Sequence, residues 1–190
     1  MLQMTNHEFD WVQVDATFAD ARPCPMPSES TVLGLDVPES YRAFLGRFGY
    51  GLYGGLLHFF PWCPDYCDDL NRRASQLREM FRETLELEIA ELEPDGSEMA
   101  LLTCIPFGIS INGDTICWSS SFSVDDEPEV VVVASKVLAF ERSGHNFPSF
   151  LKSLTEPVGA RILMGPSATP VPATFKPDVY FDAWLRTRPT

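Results

Sequence analysis

Few residues in this chain have types and spacings that could do chemistry. His58, Cys63 and Cys67 are the one group with metal-ligating content. Zinc sites favour closely paired cysteines and four ligands, whereas Cys63 and Cys67 are separated by three residues and no second pair follows. Structural side chains are the simpler reading. Any of the five thiols (Cys24, Cys63, Cys67, Cys104, Cys117) could meet His7, His58 or His145 as a nucleophile and base, but no local signature joins them. The pairs Asp68/Asp69 and Asp125/Asp126 could hold a divalent ion or move protons. The positive end of a helix explains the first pair better, and a solvated loop the second. Gly49, Gly51, Gly54 and Gly55 loosely follow the spacing of a dinucleotide loop. That loop follows a strand and opens a helix, and here the order is reversed, so no cofactor is expected. A small hydrolase using a Cys nucleophile or paired carboxylates stays the alternative to a non-enzymatic protein.

Charge narrows the partners. The 190 residues carry a formal net charge of −13. Residues 1–100 hold 7 Lys/Arg against 18 Asp/Glu, a net of −11, and the remainder holds 7 against 9. Phosphate contacts need Lys and Arg, so direct nucleic-acid binding is not expected. A basic protein partner suits such a chain, although acidity also simply keeps proteins soluble. No run of 18 apolar residues is present, so no membrane span is expected. The opening MLQMTNHEFDW lacks a basic head with an apolar run behind it. The expectation is a cytoplasmic protein with reduced thiols.

The elements that would position these residues centre on residues 101–121. Ile109 and Ile111 alternate with Ser110 before Asn112-Gly113, and Ile116 and Trp118 alternate with Cys117 after it. That period of two predicts strands over 107–111 and 115–119, and Asn-Gly predicts a two-residue primed turn between them. EVVVVA at 129–134 predicts a strand covered on both faces. Asp36 is placed to cap a helix carrying Tyr41, Phe44, Leu45 and Phe48, which Gly49 ends. A longer helix is expected over 65–93, with Asp65, Asp68 and Asp69 in its first turn and Leu70, Ala74, Leu77, Phe81 and Leu85 as its apolar stripe. Pro94-Asp95-Gly96-Ser97 then turns the chain into the central hairpin, and NFPSFLKSL at 146–154 predicts a short helix. Prolines forbid regular structure over 22–27. Asp125, Asp126 and Glu127 fall in an acidic loop before the Val-rich strand.

The order of these motifs resembles the SUKH superfamily. LGLDVPESYRAFL at 33–45 looks like its opening helix motif, followed by the Gly-containing turn at 49–55 and the strand at 56–60. Pro106-Phe107-Gly108, Asn112-Gly113-Asp114 and the helix at 147–154 resemble its core strand, hairpin and closing helix. The resemblance covers residues 33–154. It implies an α+β fold, a mainly antiparallel sheet with helices packed on one side, in which Gly34, Pro38 and Gly113 set the backbone and Tyr41, Phe44 and Phe150 fill the core. It also implies a non-enzymatic immunity protein that neutralises a toxin, often a nuclease or deaminase, or an interaction protein like the family's yeast cell-wall regulator. Residues 1–156 would form the domain, with 157–190 a Pro-rich extension packing on it or on a partner. The candidate partner-binding residues are the exposed carboxylates Asp65, Asp68, Asp69, Asp125, Asp126 and Glu127, facing a basic toxin domain.

Overall fold

The computed structural model of the chain describes residues 7–15, 24, 26, 30–165 and 168–187. Most of the stretch at 22–27 therefore lies outside the described residues. In chain order the strands are β1 (Gln13–Val14), β2 (Thr31–Val32), β3 (Leu35–Asp36), β4 (Gly51–Tyr53), β5 (Leu57–Phe59), β6 (Ile105–Ser110), β7 (Thr115–Val124), β8 (Glu127–Val133), β9 (Phe140–Arg142) and β10 (Thr174–Pro177). The helices are α1 (Glu39–Phe48), α2 (Leu70–Glu86), α3 (Glu98–Thr103), α4 (Phe147–Ser153), α5 (Pro157–Met164) and α6 (Val179–Arg186). Eight strands form one sheet in the order β1-β10-β4-β5-β6-β7-β8-β9, antiparallel except where β1 meets β10. The fold is α+β.

The Val-rich run behaves as its composition demands. Val130 and Val132 face one apolar cluster, with Trp118, Ile116 and Phe107. Val131 and Val133 face a second, with Cys117, Cys104 and Phe140. Most helical burial is on the first face, from α1, α4 and the start of α2; the second face takes Phe81 of α2 and Leu101 of α3. Tyr41 sits at the centre of the larger cluster. Its ring meets Trp118 edge-on at 4.9 Å, and its hydroxyl lies 2.7 Å from the Phe60 carbonyl and 3.1 Å from that of Phe107. Burial raises the Tyr41 pKa, so the hydroxyl stays protonated to donate.

Several local expectations change. Asn112 does not take positive φ, whereas Gly113 does, at +92°. The Gly113 amide donates to the Ser110 carbonyl at 3.0 Å and the Ser110 amide to that of Asp114 at 2.8 Å, which closes a three-residue loop rather than a two-residue primed turn. The primed turn lies elsewhere: Val124 pairs with Glu127, and the two residues between, Asp125 and Asp126, have φ of +51° and +65°. Glu127 accordingly opens β8 and is not a loop residue. The long helix is shorter than expected. It starts after Asp69, whose side chain accepts from the Arg72 amide at 3.1 Å, so Asp65 and Asp68 precede it. It ends at Glu86, before Leu87, Ile89 and the positive-φ Glu88. Ser97 caps an additional helix, α3, by accepting from the Ala100 amide.

The C-terminal segment enters the sheet through β10, which pairs with β4 on one side and β1 on the other. Gly54 is required there. A β-carbon on it would stand 1.9 Å from Val171 Cγ1, so the glycine that loosely suited a phosphate loop instead admits the returning chain.

Candidate functional site

Pro38 stands at the N-cap of α1 but offers no side-chain acceptor. The acceptor comes from 87 residues away: the Ser40 amide donates to Glu127 Oε1 at 2.9 Å, and the Ser40 hydroxyl donates to Oε2. Asp36, expected as the cap, lies in β3 instead. A carboxylate at a helix N-terminus also meets the positive end of the helix dipole. This contact joins the β7–β8 tip to the start of α1, and an open groove of about 1290 Å3 lies between them, lined also by Asn146, Pro148 and Ser149 at the start of α4.

The groove is strongly acidic. Glu8, Asp36, Glu39, Asp125, Asp126 and Glu127 line it, against Arg42 as the single Lys or Arg among its described lining residues. Arg42 is held to the backbone, its Nη1 donating to the Val37 carbonyl at 2.6 Å. Glu127 is held by Ser40. The side chains of the other five carboxylates make no hydrogen bond or ion pair with any described residue. Burial, then the neighbouring charges of Glu127 and Glu39, raise the Glu8 pKa above its ordinary value.

An irregularity in β7 shapes the groove wall. Trp118 pairs with Val130, but the next pair is Ser123 with Pro128, so residues 119–122 stand opposite Glu129 alone. The Ser119 hydroxyl closes this bulge by accepting from the amides of Ser121 at 3.2 Å and Phe122 at 3.1 Å. Glu129 is buried, 1% exposed, and accepts from Arg142 Nε at 3.0 Å, Arg142 Nη2 at 2.7 Å and the Gly144 amide at 2.7 Å. The Arg142 guanidinium lies 3.7 Å over the Phe122 ring.

The candidate partner-binding residues divide into two sets. Asp125, Asp126 and Glu127 line the groove; Asp65, Asp68 and Asp69 do not. Asp69 is a buried structural acceptor, taking the Cys63 amide at 2.9 Å as well as that of Arg72, and it offers no exposed carboxylate. Asp68 accepts from the Tyr50 hydroxyl at 2.8 Å and faces Arg73 Nε at 3.6 Å. Sequence reasoning did not assign Glu8 and Glu39 to a site, because both sit in segments whose local signals concern helix starts and anchoring aromatics. Glu129 opens a Val-rich run, and no local signal in the sequence marks it as a buried acceptor.

The five cysteines and three histidines are not among the residues that line the groove. Among the described residues no three His, Cys, Asp or Glu side chains come together as a metal site would need. All five cysteines are free thiols. Burial pushes the Cys24 thiol up to about 12, and it raises Cys117 as well, the opposite of what a nucleophilic thiolate needs. Burial lowers the pKa of His58, which stacks at a tilt 5.8 Å from Tyr50. Among the described residues no helix is long and apolar enough to cross a membrane. Comparison with protein families, with curated proteins and with solved structures finds no match.

Proposed function

We propose that this chain is a non-enzymatic, cytoplasmic binding module that neutralises a basic protein, as the immunity proteins of the SUKH superfamily do against toxins. The observation that carries the reading is the groove: five carboxylates without partners among the described residues, facing one arginine tied to its own backbone. Like charges crowded in this way oppose folding unless a cation arrives, and a Lys- or Arg-bearing surface supplies one. The same potential repels phosphate, which argues for the protein itself, not its nucleic acid, as the ligand. The motif order at 33–45, 106–114 and 147–154 adds support.

Co-expression with the toxin encoded beside the gene tests the proposal. Protection of the cell and a purified complex are the expected results; absence of both overturns it. Within such a complex, reversing Asp125 and Asp126 to Lys should slow association, most clearly at low salt. Exposed charges steer encounter over about 30 Å at 0.01 M salt and only about 10 Å at 0.1 M. An association rate unchanged at low salt would exclude the groove as the binding face.

A further inference from the structure

The groove wall is joined to the body by few polar contacts, one of them the Arg142 guanidinium over the Phe122 ring within the bulge. Outside the β7–β8 ladder, the hydrogen bonds from residues 119–128 to the rest of the described chain are the two from Ser40 to Glu127. The ladder itself is interrupted from Trp118 to Ser123, where four β7 residues stand opposite one. Pro128, at the base of the tip, has no amide to donate. β9 ends at Arg142 opposite Val131; Arg142 and Gly144 hold the Glu129 side chain, and no strand on that side pairs with residues 127 and 128. Beyond the bulge the tip is closed on itself through the turn at Asp125 and Asp126. A bulge of this kind is where a strand bends.

We infer that residues 119–128 form a flap, hinged at the β7 bulge and latched shut by the Glu127 carboxylate on the N-terminus of α1. The inference rests on the proposed groove for its purpose but not for its test. The flap supplies nine of the twenty lining residues, so its position sets the width of the groove and where Asp125 and Asp126 stand. Glu127 is both latch and lining. A cationic side chain entering the groove competes with Ser40 for that carboxylate, which couples occupancy to opening. A ligand that engages Asp125 and Asp126 alone leaves the latch closed.

Backbone 15N relaxation of the free protein tests the latch without any partner. In the wild type, order parameters over 123–127 should match the body of the sheet, about 0.85. In Glu127→Ala they should fall below about 0.6, while residues 129–133 of β8 stay unchanged. Ser40→Ala, which keeps the amide donor and removes the hydroxyl, should fall between. Three results would overturn the inference: a wild-type tip already as mobile as the variant, a tip unmoved in both variants, or a loss of order spread evenly through the sheet. The toxin reading could fail while the latch stands, because these measurements contain no toxin.

Discussion

Replacing Asp125-Asp126 by Asn-Gly should stabilise the protein and at the same time weaken its groove. Both aspartates hold positive φ, +51° and +65°, in the two central positions of a primed turn. The left-handed region opposes an L-residue by about 1 to 2 kcal/mol, less for Asp and Asn, whose short polar side chains tolerate it. Asp126→Gly removes that strain, offset in part by the 0.5 to 1 kcal/mol or so of extra entropy that glycine loses on folding. Asp125→Asn keeps the shape and deletes a charge from a crowded set. No hydrogen bond to another described side chain is lost with either aspartate. The net gain should be positive and below about 1 kcal/mol, which for a chain of this size raises the melting temperature by no more than roughly 2 to 4 °C. Calorimetry and urea unfolding check it together, with an unchanged urea slope marking an effect on the native turn. Association with a basic partner should slow in the same variant, because two of the five carboxylates are gone. A lower melting temperature would refute the turn assignment and with it the strain argument.

The remaining expectations are simpler. Gly113→Val forces a β-branched residue into φ of +92° with its β-carbon 3.0 Å from Ser135 Oγ, and should cost about 1 kcal/mol or more; an unmoved melting temperature would contradict the loop geometry. Arg142→Ala leaves the buried Glu129 carboxylate with only the Gly144 amide. Breaking a buried pair typically costs 3 to 5 kcal/mol or so, and because the Arg142 side chain is 39% exposed the lower end, about 3 kcal/mol, applies; a loss no larger than an ordinary surface arginine's would sink the idea. Glu8 is an acid whose pKa is raised on folding, so its ionisation opposes folding: the penalty is absent well below 4.5 and grows as pH rises through the folded value. Glu8→Gln should therefore melt above the wild type near neutrality and match it in acid, and an equal gap at both would show that the charge is not responsible.

The parts of this fold that were legible are those with a local cause. Tyr41, Phe44, Leu45 and Phe48 lie at helical spacing and form α1, and the stretch 146–154 holds the short helix α4. The strands expected over 107–111 and 115–119 and at the Val run form as β6, β7 and β8, with Ile111 left to the loop. What the sequence misplaced depends on register. Asn112-Gly113 looks like a primed turn, yet the Ser110 hydroxyl, bonded to Asp114 at 2.7 Å and accepting from the Asn112 and Asp114 amides, favours a wider loop. Asp125 and Asp126 look like a solvated loop, and only the β7 bulge puts them at a two-residue turn. The groove had no local signal at all. It assembles Glu8, the start of α1, the β7–β8 tip and the start of α4, segments brought together by the sheet and by one carboxylate acting as a distant helix cap.

The place of β10 also bears on how the chain is made. β4 keeps its outer edge unpaired until Thr174–Pro177 arrives, since β10 is its neighbour on that side. About 120 residues separate the two in sequence, and at 5 to 20 residues per second of synthesis that is roughly 6 to 24 s. Through that interval a nascent chain presents Gly51–Tyr53 as an open strand edge, the kind of surface to which another unfinished copy can add. β1, among the first segments synthesised, has β10 as its sheet neighbour and so joins the sheet among the last.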